Sequence, residues 1–376
     1  MPWMTGQQYL DANPDVKKAG VDPLYHVLTY VLHGRKEPRP LWIDPAEPPK
    51  PPDPPPGPQP PDPTVSGEIK DFQRVKSADN PDAIYFSSGK VDGKMRFGEY
   101  RCYSAKLFRE PHTLEKQFQA ESVFDICAFK GSWYCSLEHG GYPDVDRGMV
   151  MRWNGSKWVE VFRHPSWILA FHLHVHGDKL YVTGSEWNPM HGGIWRTSDG
   201  THWEEYTSSN YVYWDMASSG SDLWTSGAYG GDYGPGCHPA VFKNRDLVWE
   251  SDEQGAGYLG IAVFRGDVFM GQATPAKVVR FSDKKTVLNM PTQNKVPKLI
   301  VDEACNTLYA IGCRTDEATS GVQVWASKDG ASWKSIGEPW SFPHLFHAYQ
   351  DPDSKEIWLA GGKFNAYGRI YKSVRG

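Results

Sequence analysis

Two stretches 130 residues apart read almost alike: Trp195-Arg196-Thr197-Ser198-Asp199-Gly200-Thr201-His202-Trp203 and Trp325-Ala326-Ser327-Lys328-Asp329-Gly330-Ala331-Ser332-Trp333. Each is a β run ending in an aromatic, then a Ser/Thr-x-Asp-Gly turn, then a second Trp. In such a turn the Asp carboxylate accepts backbone N–H groups, the Gly supplies a positive φ, and the Trp covers the hairpin. Trp153-Asn154-Gly155-Ser156-Lys157-Trp158 is a looser version. A hairpin that recurs within one chain signals a repeat, and the period of that repeat decides the fold.

Two aromatic registers give the period. An apolar-aromatic pair recurs at Ile84-Tyr85, Trp133-Tyr134, Leu180-Tyr181, Leu223-Trp224, Val268-Phe269, Leu308-Tyr309 and Ile357-Trp358, with spacings of 49, 47, 43, 45, 40 and 49. An aromatic closing a short β run recurs at Tyr103, Trp153, Trp195, Phe242, Phe281, Trp325 and Tyr371, with spacings of 50, 42, 47, 39, 44 and 46. Seven copies of about 45 residues match a four-stranded propeller blade. The expected fold is all-β: a seven-bladed β-propeller over 64–376, preceded by a small α-helical module (1–44) and a proline-rich linker (45–63). One blade reads as strands 123–129, 132–137, 149–153 and 157–162, turning at Lys130-Gly131 and Asn154-Gly155. The last blade ends after its third strand, so a segment near Val65–Ile69 is expected to supply the fourth and close the ring.

The Ser/Thr-x-Asp-Gly-x-x-Trp turns resemble the Asp-box (BNR) hairpins of sialidase-like propellers, one residue shorter than the commonest form. The resemblance implies a structural role for Asp199, Trp203, Asp329 and Trp333. It does not extend to sialidase activity, because the Arg-Ile-Pro signature of sialidases is missing. Near the start, Tyr9-Leu10-Asp11-Ala12-Asn13-Pro14-Asp15-Val16, then His33-Gly34 and Arg39-Pro40-Leu41, resemble another motif over residues 7–44. It is a short repeat of bacterial surface-polysaccharide glycosyltransferases, large adhesins and some phage-like proteins.

Composition narrows the function. The chain has 376 residues, 14% aromatic, with 40 Lys+Arg against 45 Asp+Glu and a net charge of −5. That balance argues against a nucleic-acid partner, which needs a basic stripe. No apolar run of about 18 residues exists, so membrane insertion is not expected. The N-terminus lacks a basic and then apolar leader, which points to synthesis in the cytoplasm with action on a particle or cell surface. Cys102, Cys127, Cys135, Cys237, Cys305 and Cys313 show no metal-type spacing and read as free thiols. A Cys127–Cys135 bridge across a hairpin is the alternative.

Within 1–44, Asp22 is a helix cap, Pro23 a first helical residue and Gly34 a stop. Leu24, Val27, Leu28, Val31 and Leu32 form an apolar stripe between them, so this module is expected to dock on a partner protein or to self-associate. Twelve prolines in the 19 residues 45–63 favour an extended polyproline spacer.

Candidate site residues fall in two groups. The loops joining second to third strands are long and rich in rings and polar groups, and such loops on a rigid scaffold carry binding. They hold Glu138, His139, Trp187 and His191, then Tyr229, Tyr233 and His238, and later Arg314, Lys363, Asn365 and Tyr367. The other group lies on the innermost strands. Asp125, His172 and Asp215 each stand nine residues before the second-strand aromatic, and each follows a ring (Phe124, Phe171, Trp214). Phe346-His347 takes the same place in the last blade, while Gly260 and Ile300 hold it elsewhere. Ionisable side chains at a channel mouth suit general-base chemistry, metal ligation or hydrogen bonds between blades. His172-Leu173-His174-Val175-His176 sets three imidazoles on one strand face, but without a third ligand no metal or cofactor is expected.

The favoured function is glycan recognition of bacterial cell-surface or capsular polysaccharide by the head of an adhesin or receptor-binding spike. Rings stack on sugar C–H faces, and His, Asn, Asp and Arg bind hydroxyls. Polysaccharide cleavage is the rival, with His172, His139, Asp125, Asp215 and Tyr233 as catalytic candidates and Arg314 or Lys363 neutralising a uronate. A protein-interaction propeller is the third reading.

Overall fold

The computed structural model describes residues 67–100, 105–110, 112–138, 148–186, 191–230, 236–314, 321–340, 344–363 and 366–376. The helical module 1–44 and the linker 45–63 lie outside them, as do Cys102, Tyr103, His139, Trp187, Tyr233 and Asn365. The described chain is all-β, and among its residues no helix is long and apolar enough to cross a membrane.

Strands follow one another as antiparallel meanders of four. The expected hairpins form with boundaries within about two residues: Ser122–Phe129, Ser132–Glu138, Met149–Trp153 and Trp158–Arg163. Lys130 and Gly131 turn the first pair at φ 45° and 72°, the double positive φ that a two-residue hairpin turn needs. Two eight-stranded sheets each combine two meanders through one residue pair, Leu169 with Glu138 and Ala273 with Lys295. Ile69–Arg74, a little later than expected, pairs antiparallel with Tyr367–Arg375 and completes the last meander. Beside that junction Arg375 Nη1 donates to the Gly67 carbonyl at 2.9 Å, and Nη2 meets the buried Asp302 carboxylate of the preceding meander at 2.7 Å.

The first strand of every meander is the innermost. Tyr85–Val91, Ser122–Phe129, Leu169–His176, Tyr211–Ser219, Gly257–Phe264, Lys295–Asp302 and His344–Gln350 pack each on the next, and the last packs on the first. This ring of meanders is a β-propeller. Its core consists of apolar clusters between neighbouring meanders, such as Tyr134, Val150, Phe162, Trp167 and Leu180.

Two expectations are corrected. Ile84-Tyr85 does not belong to the second-strand register, because Tyr85 begins an inner strand. Pairing of Ser88 with Phe97 and of Ile126 with Cys135 puts Arg96 where the other meanders carry an aromatic. The Cys127–Cys135 bridge is also excluded. Cys127 stands opposite Tyr134 and Cys135 opposite Ile126, so the thiols point to opposite faces of the sheet, and both are free.

Candidate functional site

Every inner strand breaks register at the same place. The shifts fall between Tyr85 and Ser87, Val123 and Asp125, Ala170 and Leu173, and Tyr213 and Met216. They continue between Tyr258 and Gly260, Lys295 and Lys298, and Leu345 and His347. A bulge re-aims the side chains on either side of it. Here it turns one layer of residues inward: Ser87, Asp125, His172, Asp215, Gly260, Lys298 and His347.

Small residues in that layer let large ones span it. Across the Ser87 meander, His347 Nε2 reaches Asp125 Oδ1 at 3.0 Å. His172 Nδ1 approaches the other oxygen at 3.3 Å. Across Gly260, Lys298 Nζ reaches Asp215 Oδ1 at 2.8 Å. Both carboxylates also accept backbone N–H groups. Asp125 receives Ile126 at 2.7 Å and Leu173 at 2.9 Å, and Asp215 receives Met216 at 3.0 Å. The Ile126 and Met216 bonds lie within one strand, whereas the Leu173, His172, His347 and Lys298 contacts tie different meanders together. The four ionisable residues expected at the channel mouth are instead enclosed: Asp125, His172, Asp215 and His347 are 5%, 6%, 3% and 4% exposed.

Burial works to raise the Asp125 carboxyl, but His347, His172 and their N–H donors outweigh it and hold it well below the ordinary range. Burial pushes His347 down, against the opposing pull of Asp125. Ser88 N–H points at His347 Nδ1 from 3.4 Å, which puts the imidazole proton on Nε2, facing Asp125. Asp215 is likewise lowered, with Lys298 overcoming burial. Asp125, His172 and His347 each offer a ligand atom within 4.8 Å of the other two.

The three imidazoles of 172–176 do not share a face. The bulge at 171–172 sends His172 to Asp125 in the preceding meander, whereas His174 Nε2 and His176 Nδ1 meet Ser218 Oγ in the following one, at 2.7 and 3.0 Å. Burial pushes His174 down to about 4.

The rings that precede five of the seven layer residues form a second cluster. Phe86 stacks on Phe346 at 3.9 Å and meets Phe124 at 5.9 Å. Phe124 meets Phe171 at 5.3 Å, and Phe171 meets Trp214 at 4.5 Å. These rings lie toward the end of the inner strands that pairs with Glu138, Ser185 and Tyr229, where the long loops leave. Trp214 and Phe346 are part-exposed, and Lys295 Nζ stands 4.9 Å above the Phe346 ring. On the same side Tyr100 stacks on Phe86 at 4.9 Å and donates to Glu121 at 2.5 Å. Ser122 donates to Glu138 Oε2 at 2.6 Å. Burial pushes Glu138 up to about 7, with Glu121 adding to the rise.

Other expected residues are dispersed. Tyr229, 41% exposed, lies 5.4 Å from Tyr211 and 6.3 Å from His238. His191 is exposed, and Arg314 is half-buried at its loop's start. Lys363 pairs with Tyr367, whose ring lies 4.2 Å from the Arg369 guanidinium. In the turns, Asp199 Oδ1 accepts N–H of Thr201 and His202 at 2.7 and 2.8 Å. Asp329 Oδ1 accepts N–H of Ala331 and Ser332 at 2.8 and 2.7 Å. Gly200 and Gly330 take φ 82° and 74°. Trp203 and Trp333 pack against separate core clusters.

Sequence reading missed Lys298. A fixed nine-residue offset from Tyr309 lands on Ile300, which pairs with Tyr309 itself. The turn at Glu303–Asn306 has four residues where Lys130-Gly131 has two, and this moves the layer position back by two. The length of that turn was the available signal.

No protein-family model and no curated protein matches the chain. Solved structures do. The extracellular domain of a hybrid two-component system from B. thetaiotaomicron aligns with 11% identity and a TM-score of 0.52 over 78% of this chain and 38% of that one. A second structure of an extracellular domain from the same organism, described as a one-component system, gives 10% identity and 0.52 over 80% and 40%. A protein described as a gluconolactonase gives 12% identity and 0.47 over 81% and 93%. The chain thus spans about two fifths of those two extracellular-domain chains, and what it shares with them is the propeller fold.

Proposed function

We propose that the chain is a glycan-binding propeller of seven blades, in the Asp-box class, that recognises bacterial surface polysaccharide. One observation carries the reading: Trp214 and Phe346 stand part-exposed at the flanks of the axial ring cluster, on the side where the long loops leave. Aromatic faces there suit sugar C–H surfaces, and Tyr100, Glu121, Glu138 and Lys295 around them suit hydroxyls. The helical module and proline linker would then anchor and extend the head, as in a spike or adhesin.

The test is binding of the full chain to arrays of acidic and neutral bacterial polysaccharides, repeated with Trp214→Ala. Binding that weakens at least tenfold in the variant supports the reading. No binding to any polysaccharide sinks it.

A second reading has one observation behind it. Glu138, raised to about 7 beside Glu121, is poised as a general acid for polysaccharide cleavage. Release of new reducing ends, abolished in Glu138→Gln, would make the protein a hydrolase. Absorbance of an unsaturated uronate product would make it a lyase.

A further inference from the structure

We infer that Asp125, His172 and His347 form a binding site for one divalent transition-metal ion of the zinc class on the propeller axis. The inference is independent of the glycan reading.

Three features point to it. First, the donor set is one carboxylate and two imidazoles, which suits Zn, Fe, Ni or Cu better than Mg or Ca. Second, the spacing fits. Ligands of a tetrahedral zinc ion at about 2.0–2.1 Å lie about 3.3 Å apart along an edge. His347 Nε2 stands 3.0 Å from Asp125 Oδ1 and His172 Nδ1 stands 3.3 Å from Oδ2. One donor atom from each residue lies within 4.8 Å of the other two, so a small closure brings the set to that edge length. Third, the outer contacts are those that orient metal ligands. Ile126 N–H and Leu173 N–H fix the two carboxylate oxygens. An ion on His347 Nε2 moves the ring proton to Nδ1, where the Ser88 N–H now points from 3.4 Å. That contact must then give way, and the fully buried Ser88 hydroxyl, without a partner among the described residues, is the acceptor the same residue can turn toward the ring.

The two buried carboxylates differ in their partners. Asp215 meets the Lys298 ammonium at 2.8 Å, whereas Asp125, among the described residues, meets imidazoles and backbone N–H groups. Three protein ligands leave one position open.

The experiment uses the full chain. Metal content is measured as purified, and again after chelator dialysis and reloading with Zn²⁺ or Co²⁺. The expected result is about one tightly held equivalent, visible ligand-field bands of four-coordinate Co²⁺, and an X-ray absorption signature of two imidazoles. Asp125→Asn and His347→Gln should each lower affinity at least tenfold, while His202→Ala, at an exposed histidine, leaves it unchanged. If either axial variant fails to fold, the wild-type absorption spectrum decides: two imidazoles support the site, and none overturns it. Less than stoichiometric metal in the reloaded wild type, or loss of binding in His202→Ala alone, also overturns it.

Discussion

Gly200 sits against Tyr134. A Cβ added to that turn glycine would overlap the Tyr134 hydroxyl, and one added to Gly330 would overlap Phe269 in the same way. In each case the glycine of a Ser/Thr-x-Asp-Gly turn rests on the second-strand aromatic of the preceding meander. The two aromatic and turn patterns seen in the sequence are therefore two halves of one contact between neighbouring meanders.

Gly200→Ala should accordingly cost more than a turn glycine normally does. The positive φ alone costs an L-residue about 1–2 kcal/mol, and the clash adds about 1–3 kcal/mol. Gly155 has φ 93° but nothing within 4 Å of its added Cβ, so Gly155→Ala should show the backbone cost only. Urea denaturation of both variants checks this. Equal losses would mean that the Tyr134 contact adds nothing.

Lys298→Met removes the cation that offsets buried Asp215. Stranding a buried charge costs about 3–5 kcal/mol, toward the low end here because the Lys298 side chain keeps 19% exposure. Adding Asp215→Asn should recover most of the loss, because both charges are then gone. A double variant no more stable than Lys298→Met would show that the pair does not act as a pair.

How far the sequence reaches can be judged at the same residues. Turn chemistry is local, so Lys130-Gly131 and Asn154-Gly155 placed their hairpins within about two residues. The axial layer is not local. Asp125 meets His347 only because the ring closes, and the bulges that aim both side chains leave no pattern in composition. Residue identity marked Asp125, His172, Asp215 and His347 as unusual, but not that they are enclosed. Lys298 was lost to a two-residue difference in turn length, and Tyr85 was misplaced because Arg96 holds the aromatic position in the first meander.

Glu138 gives a pH prediction. Its folded-state carboxyl is raised from 4.5 to about 7, so the folded protein binds more protons than the unfolded chain between those values. Its contribution to stability is full below pH 4.5 and is lost as pH rises toward 7. Glu138→Gln should remove that slope and be the more stable protein at pH 7.5, by about 1–2 kcal/mol once solvent contact is allowed for. Parallel wild-type and Glu138→Gln stability curves from pH 4.5 to 7.5 would refute the assignment.

The closing strand is the other weak point of the ring. Phe72 in Ile69–Arg74 is 3% exposed and joins a cluster with Ile300, Tyr309, Ile336, Leu345 and Tyr371, so it links the last meander to the one before it. Phe72→Ala deletes buried aromatic surface and should cost about 3–5 kcal/mol. Leu114→Ala, at a 51% exposed position, should stay within about 0.5 kcal/mol of wild type. The larger effect has a second readout. Loosening Ile69–Arg74 uncovers the edge of Tyr367–Arg375, and an unpaired edge invites association with another chain. Light scattering on heating should therefore rise earlier in Phe72→Ala than unfolding alone explains. A variant that unfolds early yet stays monomeric would show that this edge is protected by something other than the closing strand.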